Sequence, residues 1–130
     1  MIQGQRSMPI LPAKDIGEAI AFYTDGLGFT LAGIQKNQDG TDRLAIVQMD
    51  HVTLGLLASE RATASQEWAA YLYVADISAF VDQIQGNGVR VIRGPEDSFY
   101  HCKEVEVEDP CGNLLCFAQD KRPGVDGPGL

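Results

Sequence analysis

The stretch Asp15-Ile16-Gly17-Glu18-Ala19-Ile20-Ala21-Phe22-Tyr23-Thr24-Asp25-Gly26-Leu27-Gly28 decides the fold, because a variant of it returns roughly sixty residues on as Asp76-Ile77-Ser78-Ala79-Phe80-Val81-Asp82-Gln83-Ile84-Gln85-Gly86-Asn87-Gly88. In each copy an Asp suited to cap a helix precedes apolar residues at helical spacing (Ile16, Ala19, Ile20 and Tyr23; Ile77, Phe80, Val81 and Ile84), and a Gly-x-Gly pair stops the helix. Working outward, the same order of strands surrounds each helix. Met8 to Pro12 reads as a strand before the first, with Pro9 and Pro12 marking an edge. Phe29–Ile34, Arg43–Met49 and Val52–Leu57 read as three strands after it, with a turn at Asn37–Gly40. Ala69–Val74 leads into the second helix, and Val89–Arg93, Lys103–Glu108 and Leu114–Ala118 follow, with turns at Gly94–Asp97 and Asp109–Asn113. The chain therefore reads as βαβββ twice: an α+β fold with one domain over 1–120, a first module at about 7–58, a second at about 68–119, and a flexible tail at 121–130.

Composition limits the function classes. At 130 residues, with 45% hydrophobic and 22% charged residues, the chain is sized for one domain with a real core. Ten Lys and Arg stand against 18 Asp and Glu, a formal charge of −8, which argues against nucleic acid or an anionic membrane as partner. Three cysteines, Cys102, Cys111 and Cys116, form no zinc-type spacing and read as reduced thiols. With no secretory leader and no long apolar run, the expected location is the cytoplasm. Nucleotide-binding glycine loops and a nucleophile elbow are also missing.

Met8-Pro9-Ile10-Leu11-Pro12-Ala13-Lys14-Asp15-Ile16, Ala21-Phe22-Tyr23, Leu27-Gly28-Phe29 and Asp109-Pro110-Cys111-Gly112-Asn113-Leu114 together resemble the vicinal oxygen chelate superfamily, which includes glyoxalase I, extradiol dioxygenases and bleomycin resistance proteins. The resemblance implies paired βαβββ modules whose curved mixed sheets form a groove. In the enzymes of this superfamily inward-facing His, Gln or Glu hold a metal. Matched motif to motif, those places fall on Met8, Gly55, Ala69 and Cys116, none a usual ligand for a hard divalent ion. No cofactor is therefore expected.

Further stretches, Asp50-His51-Val52-Thr53-Leu54, Ala70-Tyr71-Leu72-Tyr73-Val74, Tyr100-His101-Cys102-Lys103-Glu104-Val105 and Asn113-Leu114-Leu115-Cys116-Phe117-Ala118, resemble the metal-free bleomycin resistance branch. That likeness implies a strand-exchanged homodimer that sequesters a planar heteroaromatic molecule, such as a peptide antibiotic, without catalysis, using aromatic residues at the places of Tyr71, Tyr73 and Tyr100. The competing readings are a metal-dependent lyase, isomerase or dioxygenase of the same fold, and an accessory protein that binds a carrier or peptide.

Strand alternation independently puts Tyr71 and Tyr73 on the face of Ala69, leaving Leu72 and Val74 for the helices. Glu104, Glu106 and Glu108 alternate with Val105 and Val107, so they share a face toward groove or solvent, where a cationic ligand would relieve their repulsion. Trp68 stands where it could close the groove, Arg43 could pair with a ligand or a groove carboxylate, and His101 lies beside Tyr100. The bland alternatives are strand propensity for the tyrosines, a solvated face for the glutamates and an interface anchor for Trp68.

Overall fold

In the computed structural model, which describes residues 2–60 and 67–122, the duplication is realised as two four-stranded mixed sheets of identical topology. The first contains β1 (Ile10–Ala13), β2 (Thr30–Lys36), β3 (Asp42–Met49) and β4 (Val52–Ala58), in the order β1-β4-β3-β2. The second contains β5 (Trp68–Tyr73), β6 (Arg93–Asp97), β7 (Cys102–Glu108) and β8 (Leu114–Asp120), in the order β5-β8-β7-β6. In both, the leading strand runs parallel to the last of its module and the others pair antiparallel.

Each helix enters its module as its sequence directs. Asp15 caps α1 (Ile16–Ala21) by accepting the Glu18 N–H at 3.0 Å, and Asp76 caps α2 (Ile77–Gly86) through the Ala79 N–H at 3.1 Å. The chain after α1 does not continue as ideal helix: Phe22–Gly26 forms a wider turn, closed by the Leu27 N–H on the Phe22 carbonyl at 3.0 Å. This turns Tyr23 fully inward, where its ring meets Phe22 and Phe29 edge to face.

One apolar core joins the modules. Leu11, Val47, Leu54 and Leu56 of the first sheet and Leu72, Val105, Val107, Leu115 and Phe117 of the second are buried with Tyr23, Leu27, Ile77, Phe80 and Ile84. Each large side chain so buried stabilises the fold by about 1.5–3 kcal/mol. Asn113 crosses between modules, donating its Nδ2 to the Pro12 carbonyl at 2.9 Å, and Asn87 does the same to Gly26 at 3.2 Å.

One strand is displaced from its expected place. Val89–Arg93 is read from sequence as a strand and Gly94–Asp97 as a turn, yet β6 occupies Arg93–Asp97. The Val89 N–H is committed to the end of α2, on the Ile84 carbonyl at 2.9 Å, and its side chain is buried in the core, so pairing with β7 begins later. The polar, Ala- and Ser-rich segment 58–67, which reads as a loop, and the tail over 121–130 lie largely outside the described residues.

Candidate functional site

One face of each sheet packs on the helices and the core; the opposite face, open in the second sheet at Trp68 and Tyr73, has Cys116 and Ala118 fully buried within it. On the second sheet the register defines what the open face carries. Tyr71 of β5 lies beside Cys116 of β8, Cys116 opposite Glu106 of β7, and Glu106 opposite Arg93 of β6, so one row of the sheet reads Tyr71, Cys116, Glu106, Arg93. Glu104 and Ala118 form the next pair along. Val105, Val107, Leu115 and Phe117 point the other way, into the core.

The aromatic residues expected on β5 do come together. Trp68 and Tyr71 have ring centroids 5.0 Å apart, and Tyr71 and Tyr73 are 5.2 Å apart near edge-to-face. Trp68 joins this row although it stands three residues before Tyr71, because pairing with β8 slips between Trp68 and Ala70. The row is accessible: Trp68 is 42% exposed and Tyr73 36%.

Glu104 and Glu106 lie on one face with Tyr71 and Trp68, as strand alternation implies, but they are paired within the sheet rather than solvated. Glu104 is only 3% exposed, and its carboxylate accepts the Tyr71 hydroxyl at 2.7 Å, the Tyr100 hydroxyl, and an Arg93 N–H at 3.2 Å. Glu106 accepts the Trp68 indole N–H at 2.7 Å and pairs with Arg93 at 2.9 Å. Arg93 also pairs with Glu96. Glu108, at the end of β7, is exposed and outside this network. The acidic strand therefore has its cation within the sheet. Arg93 is the residue that sequence reading missed: an Arg before a Gly-Pro break and next to an acidic strand was the available signal, but the hairpin register that pairs them was not.

The network sets the protonation of its members. Burial and the hydrogen bond to Glu104 raise the Tyr71 hydroxyl well above the usual phenol range, and Tyr100 is raised for the same two reasons. For Glu106 burial opposes ionisation, but hydrogen bonds from Arg93 and Trp68 outweigh it and hold the carboxyl below its ordinary value. The bonds to Glu106 in turn raise Arg93 further.

Other expected residues stand apart. His101 sits in a tight turn with φ of 68° and lines a cavity of about 640 Å³ with Asp97, Ser98, Cys102, Lys121 and Arg122. Cys102 of that cavity lies, by strand alternation, on the same face of β7 as Glu104. Arg43 lies on the first sheet, where alternation puts it on the side of Ala45 and Val47, and its nearest polar partner is Gln35 at 3.5 Å.

The four places at which the family resemblance implies metal ligands do not fit a hard divalent ion. Met8 offers a thioether, and Gly55 and Ala69 offer no side-chain donor. At Gly55 a Cβ would lie 2.6 Å from Ile10 Cδ1 and 3.6 Å from Met8 Cε, so the space is filled by apolar atoms. Burial, reinforced by the Glu104 charge, pushes the Cys116 thiol up to about 12, leaving it protonated at neutral pH. Among the described residues no group of three His, Cys, Asp or Glu is arranged to hold a metal ion.

Residues 7–117 match the family described as Glyoxalase/Bleomycin resistance protein/Dioxygenase superfamily. A protein of Mycolicibacterium smegmatis, described only as uncharacterized, is 31% identical over 110 residues, covering 85% of this chain and 89% of that one. Among solved structures, bleomycin-binding protein complexed with bleomycin superposes with a TM-score of 0.72 at 24% identity, covering 89% of this chain and 98% of that one. TnmS3, an antibiotic binding protein from Streptomyces sp. CB03234, gives a TM-score of 0.71 at 22% identity over 92% of this chain and 98% of its own. At these identities the likeness to the two structures is one of fold.

Proposed function

Because the chain belongs to the glyoxalase/bleomycin resistance protein/dioxygenase superfamily, we propose that it is a small-molecule binding protein that sequesters a planar aromatic ligand of antibiotic type without making or breaking a bond. The observation that carries this reading is the aromatic row Trp68, Tyr71 and Tyr73, exposed at its two ends and half-buried at Tyr71, with hydroxyls and carboxylates already fixed along its border. Such a row offers flat surfaces for offset stacking, each good contact contributing about 1 kcal/mol beyond burial. Because Tyr71 and Glu104 are held before a ligand arrives, little ordering remains to be done on binding. The binding of antibiotics by proteins of the same fold supports the choice of ligand class.

Around Arg93 three carboxylates, Glu96, Glu104 and Glu106, face one guanidinium, so the border of the row keeps a negative excess and favours a ligand with a cationic group. A second copy of the chain is proposed to close the groove. Apolar Met8 and Ile10 lie exposed beside the open face of the first sheet, as they would if a partner covered them. The site of action is proposed to be the cytoplasm; no helix among the described residues is long and apolar enough to cross a membrane.

Titration with bleomycin and a panel of heteroaromatic peptide antibiotics tests the reading through the emission of Trp68, the single tryptophan. Saturable quenching that weakens as salt rises is expected, with clear loss in Tyr71→Ala. Flat titrations across the panel would overturn it.

A further inference from the structure

We propose that Arg93 is a built-in cation that neutralises the facing carboxylates and, through them, holds the side chains that line the open sheet face. The register carries the argument. Arg93 pairs with Glu106 across β6 and β7, and Glu104, two residues before Glu106 on β7, lies on the same face. One planar fork reaches Glu96, Glu104 at 3.2 Å and Glu106 at 2.9 Å. A guanidinium suits this, since it presents five donors in a fixed plane and remains charged when partly buried.

The backbone is shaped to deliver it. Gly94, with φ of 89°, lies so close to β7 that a Cβ there would collide with the Glu104 carbonyl oxygen. That approach seats Arg93 over the carboxylates. Through them it positions the aromatic residues, because Glu104 holds Tyr71 and Tyr100 and Glu106 holds Trp68. Without Arg93, Glu104 would keep only hydroxyl partners at 3% exposure, and Glu106 would keep the indole N–H. This role is independent of which molecule the site binds.

Thermal unfolding and Trp68 emission of the wild type, Arg93→Ala and Arg93→Lys test it. Arg93→Ala is expected to melt roughly 10 °C lower and to shift the Trp68 emission as Glu106 loses the cation that orients it. Arg93→Lys, which keeps a cation between the carboxylates, is expected to retain most of the wild-type stability and emission. Should Arg93→Ala fail to fold, Arg93→Gln is read in its place. A wild-type melting point in the neutral variant, an unchanged Trp68 emission in it, or an equal loss in Arg93→Lys would each overturn the proposal.

Discussion

Gly94 shows how much one residue decides here. Its positive φ and its contact with the β7 backbone leave no room for a side chain. Gly94→Ala is therefore expected to destabilise the protein by about 2 kcal/mol or more, since neither strain nor collision can be relieved by a rotamer change. Gly33→Ala, on β2 where a Cβ would meet nothing within 4 Å, is the control and is expected to change stability by less than about 0.5 kcal/mol. Urea unfolding of the two variants measures both. At this scale Tyr71, Tyr73 and the shared face of Glu104 and Glu106 were legible, because strand alternation is a local property. Arg93 was not: its partners come from another strand, and their pairing depends on the bulge at Gly94.

At the scale of elements, two motifs that look unrelated in sequence are halves of one contact. Tyr23, from the wide turn after α1, donates its hydroxyl to Asp109 at 2.7 Å, 86 residues away in the turn before β8. Asp109, itself buried, also accepts the Asn113 N–H at 2.9 Å, Asn113 Nδ2 at 2.7 Å and the Cys111 N–H at 2.9 Å. Asn113 then reaches Pro12 at the end of β1. Phe22-Tyr23 and Asp109-Pro110-Cys111-Gly112-Asn113 thus lock the first helix to the second sheet. Tyr23→Phe leaves the ring packing and removes one bond to a buried carboxylate, so a loss of about 1.5–3 kcal/mol is expected. Adding Asp109→Asn is expected to cost less than the two single changes added, and a double-mutant cycle by chemical unfolding reads the coupling.

Across the whole molecule the buried hydroxyls, thiol and carboxylates set the pH range of stability. Tyr23 is raised by burial and by Asp109, as Tyr71 and Tyr100 are raised by burial and by Glu104, and Cys116 is raised by burial. A group raised in the folded state contributes fully below its unfolded value and loses that contribution as pH rises toward the folded one. Stability is therefore expected to fall above pH 9.0 for Cys116 and more steeply above pH 10.0 for the tyrosines. Glu106 is lowered, so its contribution is complete above its ordinary value of 4.5 and is lost as pH falls through the lower folded value. A plateau in melting temperature between pH 4.5 and pH 9.0, with Trp68 emission shifting on the acid side as the Glu106 bond breaks, is the expected profile.

The sequence by itself determined the two βαβββ modules, both helix caps, the strands that carry the aromatic row and the unsuitability of Met8, Gly55, Ala69 and Cys116 as metal ligands. The modules, caps and strands follow from periodicity and capping chemistry, which act over a few neighbouring residues; the last follows from residue type at the places that the family resemblance implies. Only the tertiary structure decided that the acidic face has its own cation, that β6 begins at Arg93, that His101 and Arg43 stand outside the network, and that Tyr23 and Asp109 meet. Each of those depends on which strand or helix lies beside which, and in what register. That is settled by closing one core from both modules rather than by any local preference of the chain.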